Sequence, residues 1–235
     1  DIRKLDEVFE QYFNHVNSAN FVKKIENVPS GIYSSIEKYS NIIHQSKCPA
    51  VAMTNNRFYY ANSFLNIDIE FGLKENDEPF YSYVFGKEHP PFKEMHSLID
   101  RVVKVAYVND AVNLQVISPY LFVTDDKNVE VITIPPNIEY ENCVYVPGGL
   151  KPYYWLRNLN SVFMLSDKTK MAKVKFRINK PMLFFYFNKP VDLKYMEATE
   201  KIKSYHSQVR NIIAFRSGLE KYYMNVVNRR PRKLL

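Results

Sequence analysis

Alternation of apolar and polar residues is clearest between Ala172 and Leu193. Ala172, Val174, Phe176 and Ile178 alternate with Lys173, Lys175, Arg177 and Asn179, the period of a strand with one dry face and one wet face. After Asn179-Lys180-Pro181 the chain runs apolar without a break from Met182 to Phe187, short and aromatic enough for a strand buried on both faces. Asn188-Lys189-Pro190 ends that run, because proline has no amide hydrogen to give to a ladder. The two halves predict the strongest strand pair in the chain, with the rest of the fold packed on it.

Other segments fall into place around this centre. Leu5, Val8, Phe9, Tyr12, Phe13 and Val16 recur at helical spacing, which predicts a helix from Ile2 to Phe13 that can extend to Ile25. Ile32 to Ile43 is a weaker helical or irregular stretch. Val51 to Ala61 reads as a hairpin about Asn55-Asn56, and Leu65 to Phe71 as a half-buried strand. A polar loop opens at Asn76-Asp77-Glu78-Pro79, and Gly86 to Pro91 continues as an exposed segment. Phe92 to Val105 fits a short helix, although Val102, Val103 and Val105 prefer extended backbone. Val112 to Ile117, Tyr120 to Thr124, Val129 to Ile134 and Cys143 to Val146 read as strands. Ile202, Tyr205, Val209, Ile212, Leu219, Tyr222 and Val226 line one face of a long helix from Glu197 to Val227, followed by a basic tail.

This order of elements predicts an α+β fold, mainly β. Its body is an antiparallel β-sandwich or jelly roll, with an N-terminal helix and a long C-terminal one. The 235 residues divide into a helical segment over 1–46, a β-rich body over 47–193 and an amphipathic helix with its tail over 194–235, all in one compact domain.

Composition adds a net charge of +7, which suits a polyanionic partner but equally a solvated basic surface. The two cysteines, Cys48 and Cys143, have no CxxC companion; a disulfide between them stays open, while isolated thiols point to a reducing compartment. No run approaches the ~18 apolar residues of a membrane span, so no membrane partner is expected.

The punctuation from Lys47 onward resembles that of uncharacterised proteins of large contractile-tailed bacteriophages of marine bacteria. Lys47-Cys48-Pro49-Ala50, the segment ending at Pro135-Pro136, Pro147-Gly148 followed by Trp155-Leu156-Arg157, and Lys173 to Asn188 carry the resemblance. It covers about two thirds of the chain and implies a viral origin and a compact β-rich body, in the virion or the host cytoplasm. It brings no active site.

An iron oxygenase needs two histidines and a carboxylate, yet none of His15, His44, His89, His96 and His206 has Asp or Glu two residues on. His89 and His96 remain a weak metal pair, with Glu88 or Glu94 as a third ligand, against the alternative of surface histidines beside a loop. There is no Gly-rich phosphate loop and no Gly-x-Ser-x-Gly elbow, and Asp125-Asp126 reads as a turn. No catalytic residue, metal or cofactor is therefore assigned.

Trp155 beside Arg157 suits stacking of a base or sugar with a phosphate contact, against the alternative of a core anchor. Lys173, Lys175 and Arg177 on the wet strand face, with Arg229, Arg230 and Arg232 in the tail, form two basic sets that would track phosphates. Exposed cations on a strand also serve to prevent edge pairing. A terminal tail of this kind is ordered only where something holds it, and a neighbouring subunit would serve. The leading expectation is a non-enzymatic phage assembly or interaction protein, within a virion or a homo-oligomer. The alternatives are an enzyme of unusual type acting on nucleotides or nucleic acid, and a basic nucleic-acid-binding protein.

Overall fold

The computed structural model describes residues 22–24, 57–87, 95–108, 110–118, 121–135, 138–178, 180–194, 198–210, 224–225 and 227–235. The strands among them form three antiparallel sheets. In the first, β1 (Val22–Lys24), β2 (Phe58–Asn62), β13 (Pro181–Phe187), β7 (Val131–Ile134) and β10 (Gly149–Leu150) lie side by side in that order. The second has the order β4 (Pro79–Phe85), β3 (Ile67–Leu73), β12 (Ala172–Phe176) and β8 (Glu139–Glu141). The third has β5 (Val103–Val108), β6 (Ala111–Ile117), β11 (Asn160–Leu165) and β9 (Cys143–Tyr145). Two helices are α1 (Met95–Val102) and α2 (Glu200–Arg210).

The stretch from Ala172 holds two strands, as its pattern predicts, but they do not pair with each other. β12 pairs with β3, and β13 pairs with β2 in a different sheet. The reason lies in the corner. Phe71 faces Ala172 and Ile67 faces Phe176; five residues further along both strands, Asn62 faces Pro181 in unchanged register. The same two chain segments therefore form two antiparallel ladders, one in each sheet, and turn from one sheet into the next where Ser63 and Ile178 make an isolated parallel bridge, the way strands make corners between packed sheets. Pro181 removes an amide hydrogen at the bend, and the register shifts just beyond it, between Pro181 and Leu183. Ser63 N–H donates to Lys180 O (2.7 Å) and Ser63 Oγ accepts from Leu65 N–H (3.1 Å), which satisfies the buried serine, while the buried Oδ1 atoms of Asn62 and Asn66 have no hydrogen-bond partner among the described residues. A Cβ on Gly86 would stand 2.4 Å from Asn66 Oδ1, so the neighbouring chain approaches this corner only because it is glycine.

The large core is shared by all three sheets and α1. β13 is buried on both faces, as its apolar run predicts: Leu183, Phe185 and Phe187 enter the large core, while Phe184 packs with Phe58, Tyr60 and Ile134 on the other face. Each fully buried phenylalanine contributes roughly 1.5–3 kcal/mol of transfer free energy. The two four-stranded sheets meet through Phe163, whose ring lies 6.3 Å from Phe176 and 5.7 Å from Tyr140. The chain passes between them at α1, at Asn142 and at the turn after β11.

Several expectations change. Val22–Lys24 is a strand, so a helix reaching Ile25 is excluded; the rest of the predicted N-terminal helix, the 32–43 stretch and Cys48 lie outside the described residues. The second arm of the predicted 51–61 hairpin is β2, with β1 on one edge and β13 on the other; its first arm and Asn55-Asn56 lie outside the described residues. Residues 121–124 join no sheet: Phe122 packs edge-on to Phe185 (4.9 Å), and Leu121 and Val123 pack on the α2 cluster. The helix predicted from Phe92 runs over Met95–Val102 and gives way to β5, where the β-branched residues begin. Of the long C-terminal helix, Glu200–Arg210 is described, with Ile202, Tyr205 and Val209 buried. The alternation pattern predicts no strand at β4, β8, β10 or β11.

Candidate functional site

The two basic sets expected to track phosphates, and Arg157 beside Trp155, have different fates. On the outer face of β12, Lys173 and Lys175 sit between acidic strands: Lys173 is opposite Glu70 of β3 and Glu141 of β8, and Lys175 is opposite Asp68 and Glu139. Lys173 Nζ lies 2.9 Å from Glu70, Lys175 pairs with Glu139, and Arg177 pairs with Asp68. The hydrogen bond from Lys173 holds its ammonium above the usual lysine range, and that from Lys175 holds Glu139 below the usual carboxylate range. Three cations face four carboxylates here, so the row is a cross-strand charge ladder that sets register rather than a basic stripe.

Arg230, in the tail, is buried. Its guanidinium donates to Asp125 Oδ1 (2.9 Å), Thr124 O (2.8 Å) and Pro231 O (2.7 Å), and lies 3.8 Å over the Tyr153 ring. Asp125 also accepts from the backbone N–H of Leu234 (2.9 Å) and Leu235 (3.1 Å), and Leu234 is buried beside Leu156 and Ile202. Burial would push the Asp125 carboxyl up, but the N–H of Leu234, the guanidinium and the N–H of Leu235 together bring it below its ordinary value. The holder of the tail is thus an aspartate of the same chain. Arg229 and Arg232 remain exposed beside it.

Trp155 and Arg157 lie together, the guanidinium 5.1 Å from the indole centroid. They follow β10, where Lys151 O accepts from the N–H of both Tyr154 and Trp155 and winds residues 151–155 into a tight turn. Beside that turn is a groove of about 530 Å³ floored by Val131, Ile132, Leu150, Tyr154 and Trp155, with the Lys151–Glu130 ion pair (2.8 Å) on its rim. Ile132 is 49% exposed there. The tail touches the same turn through Tyr153, so fold and clamp together fix the position of Trp155.

A second opening, about 560 Å³, lies where the β3–β4, β5–β6 and β11–β12 turns meet. Its cations are engaged: Lys168 Nζ lies 3.1 Å from Tyr107 Oη and 5.1 Å over that ring, and Lys74 pairs with Glu78 (3.2 Å). No residue in it was singled out in sequence, because turns of Lys, Asp and Thr carry no signal until the topology gathers them.

His96 is exposed on α1, with Nδ1 2.7 Å from Tyr83 Oη; His89 lies outside the described residues. Among the described residues no three His, Cys, Asp or Glu side chains converge as metal ligands. Cys143 is free and buried, which pushes its thiol up to about 12. No helix among the described residues is long and apolar enough to cross a membrane. No family model matches the chain, and neither a curated protein nor a solved structure is significantly similar to it.

Proposed function

We propose that the chain is a non-enzymatic assembly or interaction protein, a β-sandwich body of two facing four-stranded sheets that docks a partner polypeptide in the groove beside Trp155. The half-exposed Ile132 on a floor of Leu150, Tyr154 and Trp155 carries this reading. An apolar, aromatic floor rimmed by the Lys151–Glu130 pair has the anatomy of a protein interface, and tryptophan and tyrosine dominate the energetics of such contacts. The partner presents an apolar side chain to Ile132 and Trp155 and its own charges to the rim. The resemblance to phage proteins supports placing this partner among virion components, or in the cytoplasm of the infected host.

A photo-cross-linking residue at Ile132 tests the proposal. The adduct is expected to be degraded by protease on the partner side and to disappear when Trp155→Ala is added. A nuclease-sensitive adduct would replace this reading with nucleic-acid binding through Arg157, Arg229 and Arg232.

A further inference from the structure

Each sheet has two edges, and among the described residues five of the six edge strands are blunted. β8 carries Glu139 and Glu141, β5 carries the exposed Lys104, and β1, β9 and β10 have three, three and two residues. Short length and charge are how sheet edges avoid pairing with other chains. β4 has neither. It runs seven residues, Pro-Phe-Tyr-Ser-Tyr-Val-Phe, without a charged side chain, and its only described partner strand is β3. Val84 is 70% exposed on its outer face, the most exposed large apolar side chain among the described residues.

The hydrogen bonds bracketing β4 show which groups reach the open edge. Lys74 N–H donates to Glu78 O (2.9 Å) and Gly86 N–H to Asn66 O (2.8 Å), both in the β3–β4 register. Backbone direction alternates along an antiparallel ladder, so the even-numbered residues of β4 bond to β3, and Tyr81 and Tyr83 direct N–H and C=O outward. Among the described residues nothing hydrogen-bonds to those backbone groups.

We propose that β4 is the self-association surface of this protein: two copies pair antiparallel, edge to edge, about a two-fold axis through Ser82. In this register Tyr81 exchanges two backbone hydrogen bonds with the partner subunit's Tyr83, and Tyr83 exchanges two with the partner subunit's Tyr81. Val84 covers the partner subunit's Phe80, an aromatic against a β-branched residue. Just outside the strand, the exposed Asp77 meets the partner subunit's Lys87, so the strand ends are charge-complementary across the axis. Pro79, which has no N–H, falls at the end of the ladder, where its loss removes least. An isologous pair of this kind closes on itself and leaves the three sheets of each copy intact. The inference names one partner for the interaction protein proposed above and uses a surface separate from the Trp155 groove.

Sedimentation equilibrium of the full chain, with Val84→Lys and Ser82→Cys beside it, tests the pairing. The wild type is expected to be a dimer, Val84→Lys a folded monomer by circular dichroism, and Ile132→Lys, on the other surface, still a dimer. Ser82→Cys places two thiols directly opposite at the axis, and mild oxidation is expected to link two chains far beyond the level of the wild type, which controls for Cys48 and Cys143. A monomeric wild type overturns the proposal and leaves the groove reading standing. So does a dimer that Val84→Lys leaves whole and Ser82→Cys does not cross-link. Loss of the Ile132 cross-link with the dimer intact strikes the groove reading alone.

Discussion

β4 and β12 belong to one sheet, separated only by β3, and they treat charge in opposite ways. β12 and the residue just after it place three cations on the wet face, Lys173, Lys175 and Arg177, and a neighbour on each side supplies carboxylates that neutralise them. β4 places none, and among the described residues it has a hydrogen-bonded strand on one side only. The lesson is that charge on an interior strand belongs to the sheet, whereas its absence on an edge is a property offered to another chain. A basic row in a sequence looks like a ligand site until the strands beside it are known.

The same substitution separates the two strands most sharply. Val174→Lys on β12 forces an ammonium into a fully buried position between Ile69 and Tyr140 and is expected to cost more than about 4 kcal/mol, enough to abolish the cooperative unfolding transition. Val84→Lys on β4 is expected to keep a cooperative transition, lowered only by the stabilisation that dimer formation contributes and dependent on concentration in the wild type alone. Equal unfolding of both would end the distinction between interior and edge.

Next in size is the tail clamp, where a cation is buried outright. Asp125→Ala leaves the Arg230 guanidinium without its counter-charge and is expected to cost about 3 kcal/mol in denaturant unfolding. The pH dependence has a definite sign. Asp125 titrates below its unfolded value of about 3.9, so its contribution is complete above that pH and is lost as pH falls through the lower folded value. The gap between wild type and Asp125→Ala should therefore stay constant from neutral pH down to about 5 and narrow below about 4. A gap that widens on acidification would contradict the clamp.

The smallest effect concerns the ladder. Lys173→Glu with Lys175→Glu surrounds two new carboxylates with Asp68, Glu70, Glu139 and Glu141. The melting temperature is expected to fall at low ionic strength and to recover with added salt, since exposed charges are screened. A basic stripe without acidic neighbours would show no such loss.

Legibility in the sequence followed the burial of each strand. β6, β7, β9, β12 and β13 were visible because each has at least one dry face and a matching period. β11 escaped because a serine occupies an inward position; Ser161 is tolerated there by donating Oγ–H to Met182 O at 3.1 Å. β8 is three exposed residues, Glu-Tyr-Glu, and has no apolar signal at all. Residues 121–124 carried the opposite error: their alternation is satisfied by Phe185 on one side and the α2 cluster on the other, without a ladder. Trp155 and Arg157 were legible as a pair through their proximity in the chain, whereas Ile132 and Leu150 reach the same groove only through the pairing of β7 with β10.

The chain by itself determined where Ala172 to Phe187 is extended, which residues of it are dry, and that proline interrupts it, since these follow from side-chain period and backbone chemistry between near neighbours. Only the tertiary structure decided that the two halves enter different sheets, that Asp68 and Glu70 stand beside Lys175 and Lys173 from a hundred residues away, and that β4 lies at an edge. Local sequence encodes the periodicity of a strand; its neighbours, and therefore whether its charges are spent or its edge is open, come from pairings whose partners lie far along the chain.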